Sequence, residues 1–111
     1  MEISHTQLKH CDLLTVKGRV DSSTAPMLDE ALQKIMEEGR YRIVLDLSGV
    51  EFLGSAGLRA IVSAYKTCRR WNRGDVRLAA LPPRIQGVFD LAGITPLVKI
   101  YPDAVLAVGS F

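Results

Sequence analysis

The stretch R-I-V-L-D-L-S-G-V-E-F-L-G-S-A-G-L, residues 42–58, runs from unbroken apolar chain into a glycine-bracketed serine. Ile43-Val44-Leu45 shows no alternation, the mark of a central strand covered on both faces. Beyond the loop, Leu58, Ile61, Val62 and Tyr65 recur at helical spacing, with Cys68 at the margin, so a helix is predicted from about Ser55 to Trp71. Strand, small-residue loop and helix in succession are the parts of an α/β fold.

The flanks extend the pattern. Downstream, Gly74-Asp75 breaks the helix, Val76 to Leu81 reads as a strand, and Pro82-Pro83 opens a third helix. That helix sets Ile85, Val88, Phe89 and Ala92 on one side and stops at Gly93. Leu97 to Tyr101 is expected as a last strand, and Pro102 to Phe111 as a short apolar helix. Upstream, Ile3 to Leu8 and Leu13 to Val20 alternate as a hairpin across His10-Cys11-Asp12. Asp21-Ser22-Ser23-Thr24-Ala25-Pro26 then switches the period. Ser23 or Thr24 can cap a helix whose first turn tolerates Pro26. Ala25, Leu28, Leu32, Ile35 and Met36 share one face of it, Asp29, Glu30, Gln33, Lys34 and Glu37 lie opposite, and Gly39 ends it. The order β-β-α-β-α-β-α-β-α predicts an α/β fold: one mixed β-sheet with helices packed against it, a single domain over residues 1–111.

A chain of 111 residues, 48% hydrophobic, can bury a modest core without staples. Its net charge of +2 is too small to imply nucleic acid or an anionic membrane. No apolar run approaches the roughly 20 residues needed to span a bilayer, and M-E-I-S-H-T-Q lacks the pattern of a secretion signal. Cys11 and Cys68 stand far apart with no CxxC, as expected of reduced thiols in a cytoplasmic protein.

Motifs for catalysis fail. A nucleophile elbow needs G-x-S-x-G, and Leu53 occupies the first glycine position before Ser55. The base would have to be His5 or His10, both in or beside the first strands. No phosphate-cradling GxxxxGK[ST], dinucleotide GxGxxG or metal-ligand cluster is present, so no enzyme, cofactor or metal is expected. The run K-T-C-R-R-W-N-R, residues 66–73, reads either as a nucleic-acid patch or as the solvated end of a helix. The second reading is preferred, since cations complement the carbonyl pole of a helix.

Ser55 carries two readings. Serine ahead of an apolar periodic run is a good helix N-cap, worth ~1 kcal/mol over alanine. The same position, exposed beside unpaired backbone N–H groups, accepts a phosphoryl group. A dianion there spoils a partner surface on the adjoining helix without unfolding the domain. That surface is expected as a small-residue strip of Ala56, Ala60, Ser63, Ala64 and Thr67, flanked by Arg59, Lys66 and Arg70, with Trp71 as an anchor.

Residues 44–60, V-L-D-L-S-G-V-E-F-L-G-S-A-G-L-R-A, resemble the signature of STAS domains, specifically of bacterial anti-sigma factor antagonists. The resemblance continues through G-R-V-D (18–21) and I-Y-P-D-A-V-L-A (100–107). The family's D-S-S-G-L stands here as Gly54-Ser55-Ala56-Gly57-Leu58, which puts its phosphoacceptor on Ser55. The resemblance implies partner switching: binding to an anti-sigma factor that is also a serine kinase, release on phosphorylation, and resetting by a serine phosphatase. It implies no DNA contact and no membrane insertion, and leaves the ATP with the partner. Asp21 and Asp46 match acidic positions on the family's loop side, either as partner contacts or as turn caps. With Gly54, Ala56, Gly57, Arg59, Ala60 and Ser63 they complete the expected contact set. Two positions depart from the pattern, because the acidic residue is Gly54 here and the second hydroxyl is Ala56. A constitutive docking subunit of another signalling or lipid-transport assembly, with Ser55 only an N-cap, is the alternative.

Overall fold

A strand of consecutive large apolar residues is stable only if both of its faces are covered. The computed structural model, which describes residues 1–111, provides that cover for Ile43, Val44 and Leu45. The chain forms β1 (Glu2–Gln7), β2 (Asp12–Val20), α1 (Ala25–Glu37), β3 (Arg42–Leu53), α2 (Ser55–Arg69), β4 (Asp75–Ala79), α3 (Pro83–Leu91), β5 (Ile100–Tyr101) and α4 (Ala104–Gly109). The five strands make one sheet in sequence order. β1 runs antiparallel to β2, and the remaining neighbours are parallel, so the sheet is mixed as expected.

Each parallel crossover steps one strand along the sheet, which puts α1, α2 and α3 on the same face. Ile43, Leu45 and Leu47 point into the main core beneath them, with Leu28, Leu32, Ile35, Ile61, Ile85 and Phe89. Val44 points the other way, into a smaller core with Cys11, Ala79 and Ala107, and α4 closes that face. Both thiols are free and buried, as the sequence predicts. Burial pushes the Cys68 thiol up to about 12 and raises Cys11 as well.

Several boundaries differ from the sequence reading, among them β4, which ends at Ala79 rather than Leu81, and α4, which spans Ala104–Gly109 within the expected Pro102 to Phe111. The last strand is two residues, not five, because Leu97 and Val98 donate back to the Ile94 carbonyl in a turn. Pairing with β4 begins only at Lys99, whose carbonyl accepts from Leu78 N–H at 2.9 Å. α2 stops at Arg69; a single 3-10 turn follows, in which Trp71 takes a left-handed φ of 57°. On α3, Ile85 and Phe89 are buried, whereas Ala92 lies past the helix end and is exposed.

The face of α2 also turns out differently. Gly57, Ala60, Ile61, Ala64 and Cys68 are buried, while Leu58, Val62 and Tyr65 are half-buried at the flank. α2 packs against α1 as well as on the sheet, with the small Ala60 and Ala64 among its buried residues. Tyr65 instead donates its hydroxyl to the Leu97 carbonyl at 2.9 Å.

A candidate docking groove beside Ser55

Two loops lie side by side at the carboxyl end of the parallel strands. The one joining β2 to α1 is built on Asp21. Its Oδ1 accepts from Ser23 N–H at 3.0 Å, Ser23 Oγ at 2.7 Å and Thr24 N–H at 3.1 Å. The Ser23 hydroxyl bond chiefly holds this carboxyl below the usual range, aided by the two backbone N–H groups. Thr24 Oγ1 donates to the Arg19 carbonyl at 2.9 Å, so the start of α1 is fixed by Asp21 and Thr24 together. Asp21 therefore builds this turn, at the same end of the sheet as Ser55. Gly54 N–H donates to the Val20 carbonyl at 2.9 Å and stitches the β3–α2 loop to this one.

Gly54, not Ser55, is the N-cap of α2, with extended φ and ψ of −88° and 177°. Ser55 is the first helical residue. It is exposed, and its hydroxyl caps nothing. The N-cap reading of Ser55 is thereby corrected: the helix begins one residue too early for its side chain to reach back to the N–H groups of the first turn. No acidic residue stands in that turn to offset the positive end of the helix.

Gly57 sets the position of this turn. A Cβ there would fall 2.5 Å from Val20 Cγ1 and 2.8 Å from Leu53 Cδ1, so only glycine lets the helix start against the strand ends. Gly54 has a different reason. Its backbone suits any residue, but the Phe52 ring lies 3.1 Å from where a Cβ would sit, and Arg19 covers that ring at 4.4 Å.

Between α1 and α2 runs an open groove of about 350 Å³, lined by Ser22, Ala25, Pro26 and Asp29 on one side and Ala56, Arg59, Ala60 and Ser63 on the other. The α1 side was not legible in the sequence, because Ser22, Pro26 and Asp29 join the site only through helix packing. Of the predicted strip, Ala64 is buried in the main core and Ala60 is 8% exposed as groove lining. Ala56, Arg59 and Ser63 are reachable, and the exposed Ser55 directly precedes Ala56 in the chain. Gly57 is buried and acts from beneath. Asp46 is placed elsewhere: two residues after Val44, it shares the α4 face of β3, and it accepts from Ser48 N–H at 3.0 Å.

The histidines stand at the other end of the sheet. His10 lies in the β1–β2 turn, and His5 Nε2 is 2.6 Å from Asp12 Oδ2 at the start of β2. Ser55, beyond the far end of the parallel β3, has neither as a base. What the geometry offers is an exposed hydroxyl at a helix start beside a shallow groove, suited to docking and covalent marking rather than to nucleophilic attack.

Comparison with known proteins bears on the family and the fold. The family model described as STAS domain matches residues 2–107. The anti-sigma-B factor antagonist of Listeria monocytogenes is 29% identical over 100 residues, 90% of this chain and 86% of the relative. An anti-sigma factor antagonist of Mycobacterium paratuberculosis superposes with a TM-score of 0.88 at 26% identity, covering 98% of this chain and 92% of that one. The Bacillus cell fate determinant SpoIIAA in its phosphorylated form shares the fold, with a TM-score of 0.78 at 13% identity and 98% of each chain covered. No helix is long and apolar enough to cross a membrane.

Proposed function

The chain belongs to the STAS domain family, and on that premise we propose that it is a non-enzymatic anti-sigma factor antagonist of the cytoplasm, switched at Ser55. Unphosphorylated, it docks an anti-sigma factor through the α1–α2 groove and so frees a sigma factor. The anti-sigma factor is also the serine kinase, it brings the ATP, and a serine phosphatase restores the docking form. The observation that carries this reading is the exposed Ser55, whose hydroxyl caps nothing, one residue before Ala56 of the groove lining. A phosphate there gains the N–H groups of the α2 start, so the fold accepts it. The same dianion at the edge of a docked surface adds repulsion and desolvation cost, so the complex does not.

Asp21, Gly54, Ser55, Ala56, Arg59 and Ser63 form the contact set from the two stitched loops and α2. Ala60 lines the groove, and Gly57 contributes through the position it gives Ser55. Asp46 meets a partner only if that partner also reaches the α4 face. Binding to candidate anti-sigma factors of the host, measured by calorimetry, tests the assignment. Ser63→Arg and Ser55→Asp should each weaken the complex on the order of tenfold or more, with Asp46→Arg near wild type. Loss of binding only in Asp46→Arg would move the interface off this groove.

A second reading, docking without phosphorylation, is favoured by one observation. The family's acidic position is Gly54, and the Phe52 ring occupies the space beside it. Restoring the carboxylate by Gly54→Asp separates the readings: a kinase that marks the variant but not the wild type supports constitutive docking.

A further inference from the structure

A second concavity lies at the opposite end of the sheet, where β2 and β3 begin. It measures about 250 Å³ and is lined by Lys9, His10, Asp12, Arg40, Arg42 and Arg73, with Cys11 and Tyr41 between them. Four fixed cations face a single carboxylate, an excess of three positive charges before His10 is counted. Asp12, 0% exposed, is already committed to Arg40 Nε and to His5. The exposed carboxylates nearest in the chain, Glu37 and Glu38 at the end of α1, are not part of the lining.

Two of the guanidiniums are held in place by the fold. Arg40 Nη2 donates to the Leu8 carbonyl at 2.6 Å and the Cys11 carbonyl at 3.2 Å. Arg73 is carried back by the left-handed Trp71 and Asn72, donates to the Thr67 carbonyl at 2.7 Å and the Arg70 carbonyl at 3.2 Å, and lies 4.0 Å over the Tyr41 ring. Lys9, His10 and Arg42 are exposed and pair with no carboxylate of the chain, since the ion pairs of the molecule use His5, Arg40 and Arg77. Like charges gathered without counter-charge oppose folding. Two pre-oriented guanidiniums, with Lys9 and Arg42 unpaired around the same hollow, suit an anion of high charge density.

We propose that this basin binds a small molecule carrying a diphosphate or two neighbouring phosphoryl groups. Each phosphoryl group carries about −1.5 to −2 at neutral pH, so two balance the cation excess, and a hollow of 250 Å³ holds such a group. The site shares no residue with the Ser55 groove, so ligand and protein partner bind together. The ligand raises the stability of the domain by mass action.

Calorimetry with inorganic pyrophosphate, near 0.1 M salt, tests the site directly. One equivalent should bind, more tightly than sulfate, with affinity falling on the order of tenfold or more in the Lys9→Glu/Arg42→Glu double variant. Both side chains are exposed and unpaired, and circular dichroism checks that the variant keeps its fold. Arg59→Glu, at the other groove, should leave the affinity unchanged. Without any variant, pyrophosphate should shift the amide resonances of residues 9–12, 39–42 and 73 and spare 53–57. Equal affinity for sulfate, no effect of the double reversal, or shifts centred on 53–57 would each overturn the proposal. A single-stranded oligonucleotide or an acidic peptide that shifts the same resonances and displaces pyrophosphate at a far lower concentration would overturn it in favour of a macromolecular partner.

Discussion

Ser55 and Gly57 stand two positions apart and answer to different constraints. The Ser55 side chain touches no partner group in the chain, so Ser55→Ala should change the free energy of unfolding by less than about 0.5 kcal/mol, read by urea denaturation. A loss near 1 kcal/mol would mean that the hydroxyl caps after all. Gly57→Ala meets Val20 and Leu53 instead, and should destabilise by about 1–3 kcal/mol despite the better helix propensity of alanine. The exposure of Ser55 was legible in the sequence, because a serine between glycines after a central strand belongs on a surface loop. Its failure as a cap was not. Glycine and serine are both acceptable N-caps, and only the extended backbone of Gly54 decides which one holds the place.

Helix faces show where pattern suffices and where it does not. The buried stripe of α1 is the one its spacing predicts, because α1 has a strongly polar opposite side. α2 has no such contrast. Its alanines read as part of an exposed partner strip, whereas Ala60 and Ala64 are buried, and the larger Leu58, Val62 and Tyr65 are half-buried at the flank. Ala64→Leu should therefore cost about 1–3 kcal/mol through overpacking, more than the same change at an exposed position of α2. At the start of α1, the Asp21 carboxyl titrates lower in the folded chain than in the unfolded one. Its contribution is present above the ordinary value of 3.8 and is lost as pH falls through the folded value. The stability gap between wild type and Asp21→Ala should therefore narrow on acidification below about pH 4, followed by denaturant titrations at each pH. A gap that stays constant would mean that the turn does not depend on the ionised carboxylate.

The two ends of the sheet are built differently. At one end the loops after β2 and β3 present Ser55; at the other, Asp12, Arg40 and His5 tie the β1–β2 turn to the loop after α1. The hairpin, the α/β order and the central β3 were all legible from periodicity and breakers. This clip was not, since Asp12 and Arg40 are 28 positions apart and meet only once α1 has folded back. Replacing Arg40 by methionine leaves the buried Asp12 charge without its main partner, and should cost about 3–5 kcal/mol. A loss well under 1 kcal/mol would show that the pair is dispensable.

The most direct test concerns the mark on Ser55. Wild type and Ser55→Ala are incubated with ATP and a host anti-sigma kinase shown to bind this protein, and intact masses are recorded. Phosphoryl transfer predicts a gain of about 80 Da in the wild type alone, with release of the kinase. An unchanged wild-type mass, from a kinase that phosphorylates its own antagonist in the same buffer, would contradict the switch and leave the groove as a permanent dock.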